Sequence, residues 1–296
     1  MKKICIISSF RNENECLNIF IDEIDKAFSK HSNLDYRILF VDDYSTDNSK
    51  QTIINKIKEN KKISLISFKK NYGASPSIFF AFQNVREGEY ATVIDCDMQD
   101  PITLIPETLE KADDKTLYHF VREARHEKNK FQLFYTYIAY KLINFVSGGK
   151  IIMNTNYFKI IPPFIIKKIQ NEQRDKYPYW NYFITKFSDR NERVFYHRQD
   201  RVLGVPKFGI FSMNPWVTFY SSLAEYKIRS LVMFLTSLTI TIFFYHISQS
   251  YSLLHLMFKI MTILQIINLF FFIGVMFFKK FQKEVKFITL LKSKEF

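Results

Sequence analysis

The first hundred residues alternate between short apolar runs and longer stretches in which apolar positions recur every three or four residues. The short runs fall at 4–8, 38–41, 63–68 and 91–94 and are rich in Ile, Val and Phe. Between them lie three helical patterns: Leu17, Phe20, Ile21, Ile24 and Phe28; Ile53, Ile54 and Ile57; Ile78, Phe79 and Phe82. Strand–helix–strand repetition with nearly unbroken apolar strands predicts an α/β fold, a mostly parallel sheet with helices on both faces. Such sheets bind ligands at the carboxyl ends of their strands. Polar residues cluster there, at 11–13, 42–47, 69–73 and 95–100.

The pattern changes near the C-terminus. Residues 230–258 contain no Lys, Arg, Asp or Glu, and after Lys259 neither do residues 260–278. Each run approaches the ~20 residues needed to cross a bilayer, which predicts two transmembrane helices at 230–248 and 257–278. The competing reading is a pair of buried core helices, which seldom run apolar on every face. Ser248, Gln249, Ser250, Tyr251 and Ser252 form a short polar link, so the pair is expected to be a hairpin. Lys227 and Arg229 precede the first span, and Lys279, Lys280 and Lys283 follow the second. The positive-inside rule then puts both termini on the cytoplasmic side of the inner or plasma membrane. The segment MKKICIISSF has too short an apolar core for a signal peptide and reads as a first strand.

These features divide the chain into a soluble domain (1–210), an interfacial segment (211–229), the hairpin (230–278) and a basic tail (279–296). The interfacial segment carries Trp216, Phe219, Tyr220, Tyr226, Lys227 and Arg229. A second aromatic group, Tyr177, Tyr179, Trp180, Tyr182 and Phe183, fits either contact with lipid or ordinary core packing. Gln265 and Asn268 inside the second span are expected to bond to a neighbouring helix.

Composition narrows the partners. The 296 residues carry 42 Lys+Arg against 29 Asp+Glu, a formal charge of +13. That surplus calls for an anionic partner. Aromatic residues make up 17% of the chain, which excludes a disordered protein. Cys5, Cys16 and Cys96 are odd in number and lack metal-ligand spacing, which argues against a disulfide framework or a zinc ribbon. No Arg/Lys helix carries interleaved base-reading residues, so nucleic acid is not the expected anion.

Four polar segments carry candidate chemistry. In Val93-Ile94-Asp95-Cys96-Asp97-Met98-Gln99-Asp100-Pro101, the spacing of Asp95 and Asp97 at a strand end predicts both carboxylates on one face. Two such carboxylates repel each other unless a cation lies between them, and an all-oxygen set favours Mg²⁺ or Mn²⁺ over zinc. Gln99 keeps the same parity and offers a carbonyl oxygen. Asp42 and Asp43, followed by Tyr44-Ser45-Thr46-Asp47, end another strand and suit either a nucleoside or plain turn and cap chemistry. The loops Ser9-Phe10-Arg11-Asn12-Glu13 and Lys69-Lys70-Asn71-Tyr72-Gly73 read equally as binding or as solvated loops.

Taken together, these segments resemble the family 2 glycosyltransferases of GT-A fold, most nearly the polyprenyl-phosphate branch of dolichol-phosphate mannose synthases and bactoprenol glucosyltransferases. That branch has a first-strand Asn-Glu loop, D-D-x-S-x-D, R-N-x-G and D-A-D-L-Q-D-P-P. The resemblance is specific over about residues 1–110 and patchy to about 210. It implies a Rossmann-like GT-A catalytic domain with the hairpin behind it. It places Phe10, Asn12, Glu13, Asp42, Asp43, Asn71, Gly73, Asp95 and Cys96 around a nucleotide sugar, with a UDP-sugar the first choice. It places Asp95, Asp97 and Gln99 on the metal. Arg122, Thr136, Arg198, Arg201 and Lys207 are implied around the acceptor phosphate, with Asp97, Arg122 and Arg201 the catalytic choices. The run from Arg198 to Phe208 resembles R-x-x-R-x-x-G-x-S-K-Y. Cys96 stands for the usual Ala, Pro206 for Ser and Gln132 for a second arginine, and residues 154–159 depart from S-x-F-R-L.

The expected activity is transfer of a sugar from a nucleotide donor to polyprenyl (undecaprenyl) phosphate, with inversion and a divalent metal. The other readings are a transferase acting on a hydroxyl of a lipid-linked oligosaccharide or polysaccharide, and a non-catalytic membrane scaffold. A hydroxyl acceptor would need a general base, for which Glu172, Asp175 and Asp200 are the candidates. The bilayer is an expected partner, and a homo-oligomer is left open.

Overall fold

The structure is a computed structural model of the chain. It describes residues 1–123, 137, 141, 144, 145, 149, 152, 154–172, 180–199, 227–248, 252–277 and 287–292. The chain forms two compact units, one of residues 1–126, 152–207 and 282–296, the other of 127–151 and 208–281.

The first unit opens with four strands, β1 (Lys2–Phe10), β2 (Leu34–Asp42), β3 (Ile63–Phe68) and β4 (Tyr90–Val93). Helices α1 (Asn14–Phe28), α2 (Ser49–Glu59) and α3 (Ala74–Gln83) join them in turn. The strands lie in the order β4-β1-β2-β3 and pair in parallel, with Ile6 opposite Ile38 and Ile7 opposite Val93. Side-chain alternation explains the unbroken apolar runs. Ile4, Ile6, Ile38, Phe40, Ile63 and Leu65 join the core under α1 and α2. Cys5, Ile7, Leu39, Val41, Ile66 and Phe68 join the core on the opposite face, under α3. Both faces are therefore covered, as the pattern predicts.

Beyond residue 100 come α4 (Leu104–Lys111), β5 (Thr116–Arg122), β6 (Thr155–Ile160), α5 (Pro163–Asn171), α6 (Trp180–Phe183), a 3-10 turn (Ile184–Phe187) and β7 (Arg190–Tyr196). Lys2 Nζ donates to the carbonyls of Leu109, Glu110 and Ala112 at 3.0, 2.8 and 2.6 Å, which caps the negative end of α4. β5 lies between antiparallel β6 and parallel β7 in a second sheet. Ala91 and Ile161 exchange two backbone bonds of 3.0 and 2.8 Å, which link β4 to the end of β6.

Residues 287–292, expected as part of a basic tail, form β8 (Phe287–Lys292), antiparallel to β3 at the edge of the first sheet. The added strand covers backbone groups that an edge would leave open. Trp180 and Phe183 are fully buried. The Trp180 ring lies 5.0 Å from that of Phe82, and its indole nitrogen donates to the Ser75 carbonyl at 3.0 Å. These two rings take the core alternative rather than the lipid one.

The described part of the second unit contains α7 (Lys227–Ile247) and α8 (Ser252–Phe277). α8 starts five residues before the expected 257. The two form a hairpin, with Phe244 stacked on Phe258 at 5.5 Å and Tyr245 on His255 at 4.5 Å. Ser230, Thr241 and Ser248 are buried, and such small side chains let helices approach closely. Within 230–247 and 252–270, only 11% and 0% of positions are buried, which a pair of core helices would not show. Both are long and apolar enough to cross a membrane. Of the interfacial segment 211–229, residues 211–226 lie outside the described residues and 227–229 open α7.

Candidate active site

The carboxyl ends of β1, β2, β3, β4, β5 and β7, and the start of β6, lie at one end of the sheets. Parallel pairing sets this: Phe10 is opposite Asp42, Asp42 opposite Ser67 and Arg122 opposite Tyr196. β6 runs the other way, so its start meets the end of β5, and the Arg122 amide donates to the Asn154 carbonyl at 3.1 Å. Asn12, Tyr44, Met98 and Asn154 have φ of 54°, 65°, 61° and 58°, and Gly73 has φ of 90°. Left-handed backbone at non-glycine residues is costly and concentrates at functional loops. All five positions belong to these loops.

The first three loops are bound to one another. Asn12 donates its amide to Ser45 Oγ at 3.0 Å and accepts the Thr46 amide at 2.7 Å. The Glu13 amide donates to Ser49 Oγ at 2.9 Å. Asp42 is buried and accepts the Ser45 amide at 2.9 Å and the Ser67 hydroxyl at 3.2 Å. Asp43 accepts the amides of Tyr72 and Gly73 at 2.7 and 2.8 Å. Burial pushes the Asp43 carboxyl above the usual carboxylate range, and the two amides oppose that shift. Asn71 is exposed beside them.

The fourth loop differs from its sequence reading. β4 ends at Val93, so Asp95, Asp97 and Gln99 follow the strand in a turn and strand parity does not govern them. Asp95 keeps an exposed surface, but protein packed around it restricts bulk water. That desolvation, with repulsion from Asp97 and Asp100, pushes its pKa up to about 6, while Arg198 and Arg122 pull the other way. The repulsion shows that the acidic side chains share one locality. Asp97 Oδ1 accepts the Gln99 amide at 3.3 Å.

Among the described residues, no three His, Cys, Asp or Glu side chains form a complete metal site. Two carboxylates and one amide oxygen nonetheless fit Mg²⁺ or Mn²⁺, which are held by one or two carboxylates and complete their shell with substrate phosphates and water. Restricted hydration, and after it repulsion from Asp97 and Asp100, raises the Asp95 pKa, and a bound cation would relieve that repulsion.

Arg122 and Arg198 reach the same place from the ends of β5 and β7. Arg122 Nη2 and Arg198 Nε lie 3.4 and 3.5 Å from Asp100 Oδ1. The Arg122 Nε donates to the Tyr196 hydroxyl at 3.1 Å, and that hydroxyl donates to Asp100 Oδ1 at 2.6 Å. Asn156 Nδ2 donates to Asp100 Oδ2 at 3.3 Å, and the Gln199 amide donates to the Gln99 carbonyl at 2.9 Å. Burial pulls the Arg122 pKa down, but the Asp100 charge, Tyr196 and Asp95 together outweigh it and the net shift is upward.

Thus Asn12, Glu13, Asp42, Asp43, Asn71, Gly73, Asp95, Asp97, Gln99, Arg122 and Arg198 all lie at this end of the fold. Phe10 and Cys96 do so by their backbones alone. Phe10 packs its ring 5.9 Å from Phe40, and the Cys96 side chain belongs to the core under α1. Thr136, Arg201 and Lys207 lie outside the described residues. Sequence reasoning assigned no role to Asp100, Tyr196 or Asn156. The only signal was the acidic residue that closes the Asp95–Asp100 segment.

The family model described as Glycosyl transferase family 2 matches residues 5–170. The bactoprenol glucosyl transferase of Shigella phage SfX is 28% identical over 214 residues, which cover 70% of this chain and 67% of that one. The prophage bactoprenol glucosyl transferase homolog of Escherichia coli (strain K12) is 26% identical over 210 residues, again 70% and 67%. Among solved structures, a mycobacterial protein superposes with a TM-score of 0.50 at 15% identity, over 75% of this chain and 74% of that one, a likeness of fold alone. The matched segment takes in more than half of the chain and every described loop of the site up to β6, so the protein belongs to glycosyl transferase family 2 and is a glycosyltransferase of GT-A-like fold.

Proposed function

We propose that the protein is a membrane-anchored glycosyltransferase that moves a sugar from a nucleotide-sugar donor to the phosphate of a polyprenyl phosphate. The observation that carries this reading is the meeting of Arg122 and Arg198 on Asp100, beside the Asp95–Asp97 pair. Cations and carboxylates stand together where two anionic substrates must be joined. The bactoprenol glucosyl transferases among its relatives support the lipid acceptor.

Asp42, Asp43, Asn12, Glu13, Asn71 and Gly73 surround the nucleoside, with a UDP-sugar the first donor to try. Asp95, Asp97 and Gln99 would hold Mg²⁺ or Mn²⁺, whose charge stabilises the departing diphosphate. Arg122 and Arg198, joined by Thr136, Arg201 and Lys207, bind the acceptor phosphate and hold it against the donor. A phosphate monoester has a second pKa of about 6, so it is already dianionic at neutral pH and needs no strong base. One of its oxygens bonds to the anomeric carbon as the bond to the diphosphate oxygen breaks, and the configuration inverts.

α7 and α8 anchor the enzyme as two spans, with both termini cytoplasmic. β8 supports an even number of crossings, because it follows the hairpin and still pairs with β3. One further pair favours a hydroxyl acceptor instead: His197 Nε2 and Glu123 Oε2 are 2.6 Å apart just after β7 and β5. A histidine paired with a carboxylate can act as a general base. The two bond to each other rather than to the Asp100 cluster, and Glu172 is tied to Lys186 at 2.8 Å.

The test is a transfer assay with purified protein, short polyprenyl phosphate, Mg²⁺ or Mn²⁺ and a panel of UDP-, GDP- and dTDP-sugars. The expected result is an organic-extractable lipid with the mass of one added sugar. Donor hydrolysis without that lipid would point to another acceptor.

A further inference from the structure

We infer that Asp100 is a positioning residue, a buried carboxylate that holds Arg122 and Arg198, partly through Tyr196, as a cradle for a substrate phosphate. The inference rests on the proposed transfer between two phosphate-bearing substrates.

Asp100 is 2% exposed. A carboxylate at that depth is costly unless donors surround it. Four residues from three segments supply them: Tyr196 at 2.6 Å, Asn156 at 3.3 Å, Arg122 at 3.4 Å and Arg198 at 3.5 Å. Both carboxylate oxygens are engaged, so Asp100 is a poor candidate for a further metal ligand. The tight bond is to the neutral tyrosine. Both guanidinium contacts are longer than the roughly 2.7–2.9 Å of a strong charge-assisted bond. Asp100 therefore touches each arginine without saturating it: it meets Nη2 of Arg122 and Nε of Arg198, while Nε of Arg122 donates to Tyr196.

Charge points the same way. Two arginines touch one carboxylate that a single arginine would neutralise. Asp95 and Asp97 lie in the same locality, and a divalent cation held there would offset their charge. A phosphate can accept from the outer edges of both guanidinium groups at once. The Tyr196 hydroxyl fixes the geometry, since it accepts from Arg122 and donates to Asp100. The phosphate is that of the lipid acceptor or that of the donor diphosphate, and the arms of the experiment separate the two.

The experiment compares the parent with Asp100→Asn, Asp100→Glu, Tyr196→Phe and Arg122→Gln/Arg198→Gln, the last with and without Asp100→Asn. Each is assayed for turnover and for equilibrium binding of short polyprenyl phosphate and of UDP with Mn²⁺. Loss of the clamp should raise KM and Kd for one phosphate ligand about 10-fold in Asp100→Asn and about 3-fold in Tyr196→Phe, with partial recovery in Asp100→Glu. A rise confined to polyprenyl phosphate assigns the cradle to the acceptor, and a rise confined to the nucleotide assigns it to the diphosphate. In the arginine-less background, Asp100→Asn should add little, because its partners are gone. Unchanged constants in a folded Asp100→Asn, or a full additional loss in that background, would overturn the inference. If Asp100→Asn does not fold, unchanged constants in Tyr196→Phe overturn it equally. A parent that binds neither ligand also refutes it, whereas a parent that binds both without transferring sugar refutes the proposed function alone.

Discussion

The backbone amide of Gly73 donates to Asp43 Oδ2 at 2.8 Å, beside the Tyr72 amide at 2.7 Å on Oδ1. A carboxylate at the end of β2 is thereby fixed by the loop after β3. The loop can present both amides because Gly73 takes φ of 90°, a conformation that side chains disfavour. The pair explains why an acidic strand end and a glycine loop, 30 residues apart in sequence, work as one feature.

Gly73→Ala tests that link. A Cβ at Gly73 meets nothing within 4 Å, so its cost is conformational rather than steric. The variant should lose about 1 kcal/mol in urea melts and bind UDP more weakly. Unchanged stability and affinity would mean that the left-handed turn is not needed.

The Asp95–Asp97 pair predicts opposite effects on fold and on binding. Burial first, and then repulsion from Asp97, holds the Asp95 pKa up, so Asp97→Asn removes part of that cost in the metal-free protein. That variant should melt no lower than the parent without metal. The parent should gain several degrees of Tm with Mn²⁺ and UDP, and Asp97→Asn should lose that gain.

His119 and Lys159 face each other across β5 and β6, and both are fully buried. Burial, aided by the Lys159 charge, pushes the His119 pKa from 6.5 down to about 3. Burial pushes Lys159 from 10.5 down to about 7. In both cases the unfolded chain binds more protons than the fold, so stability rises with pH. The His119 part is lost as pH falls from 6.5 toward 3, by at most about 1.4 kcal/mol per pH unit. Melts of His119→Gln against the parent between pH 7 and 4 should show a shallower fall in the variant.

Arg37 and Glu89 form a buried ion pair at 2.7 Å, and Arg37 also donates to the Asn84 carbonyl at 2.8 Å. Glu89→Ala strands the guanidinium and should cost about 3 kcal/mol in a urea melt. Arg37→Met with Glu89→Leu should recover most of that loss.

The first sheet was legible because its strands are buried on both faces. Ile4 and Ile6 enter one core and Cys5 and Ile7 the other, so the run reads as continuously apolar. The second sheet was not legible. β5 and β6 bury His119 and Lys159 at inward positions, and β7 is largely exposed and charged, so no period of two emerges. Strand parity does not govern Asp95 and Asp97, since β4 stops at Val93 and both follow in a turn, where their charges still repel. Asp100 was invisible because Tyr196 and Asn156 lie 96 and 56 residues further along the chain. β8 read as tail because its partner β3 lies more than two hundred residues earlier. Composition alone could not assign Trp180 and Phe183 to core or lipid.

Acceptor chemistry is the central claim, and one comparison tests it most directly. Purified protein is given the donor that turns over, Mn²⁺, and either a polyprenyl phosphate or the polyprenol of the same length. The account predicts sugar transfer to the phosphate alone, abolished by Asp97→Ala and weakened by Arg122→Gln. Equal or better transfer to the alcohol would contradict it, and would move the chemistry to a base such as the His197–Glu123 pair.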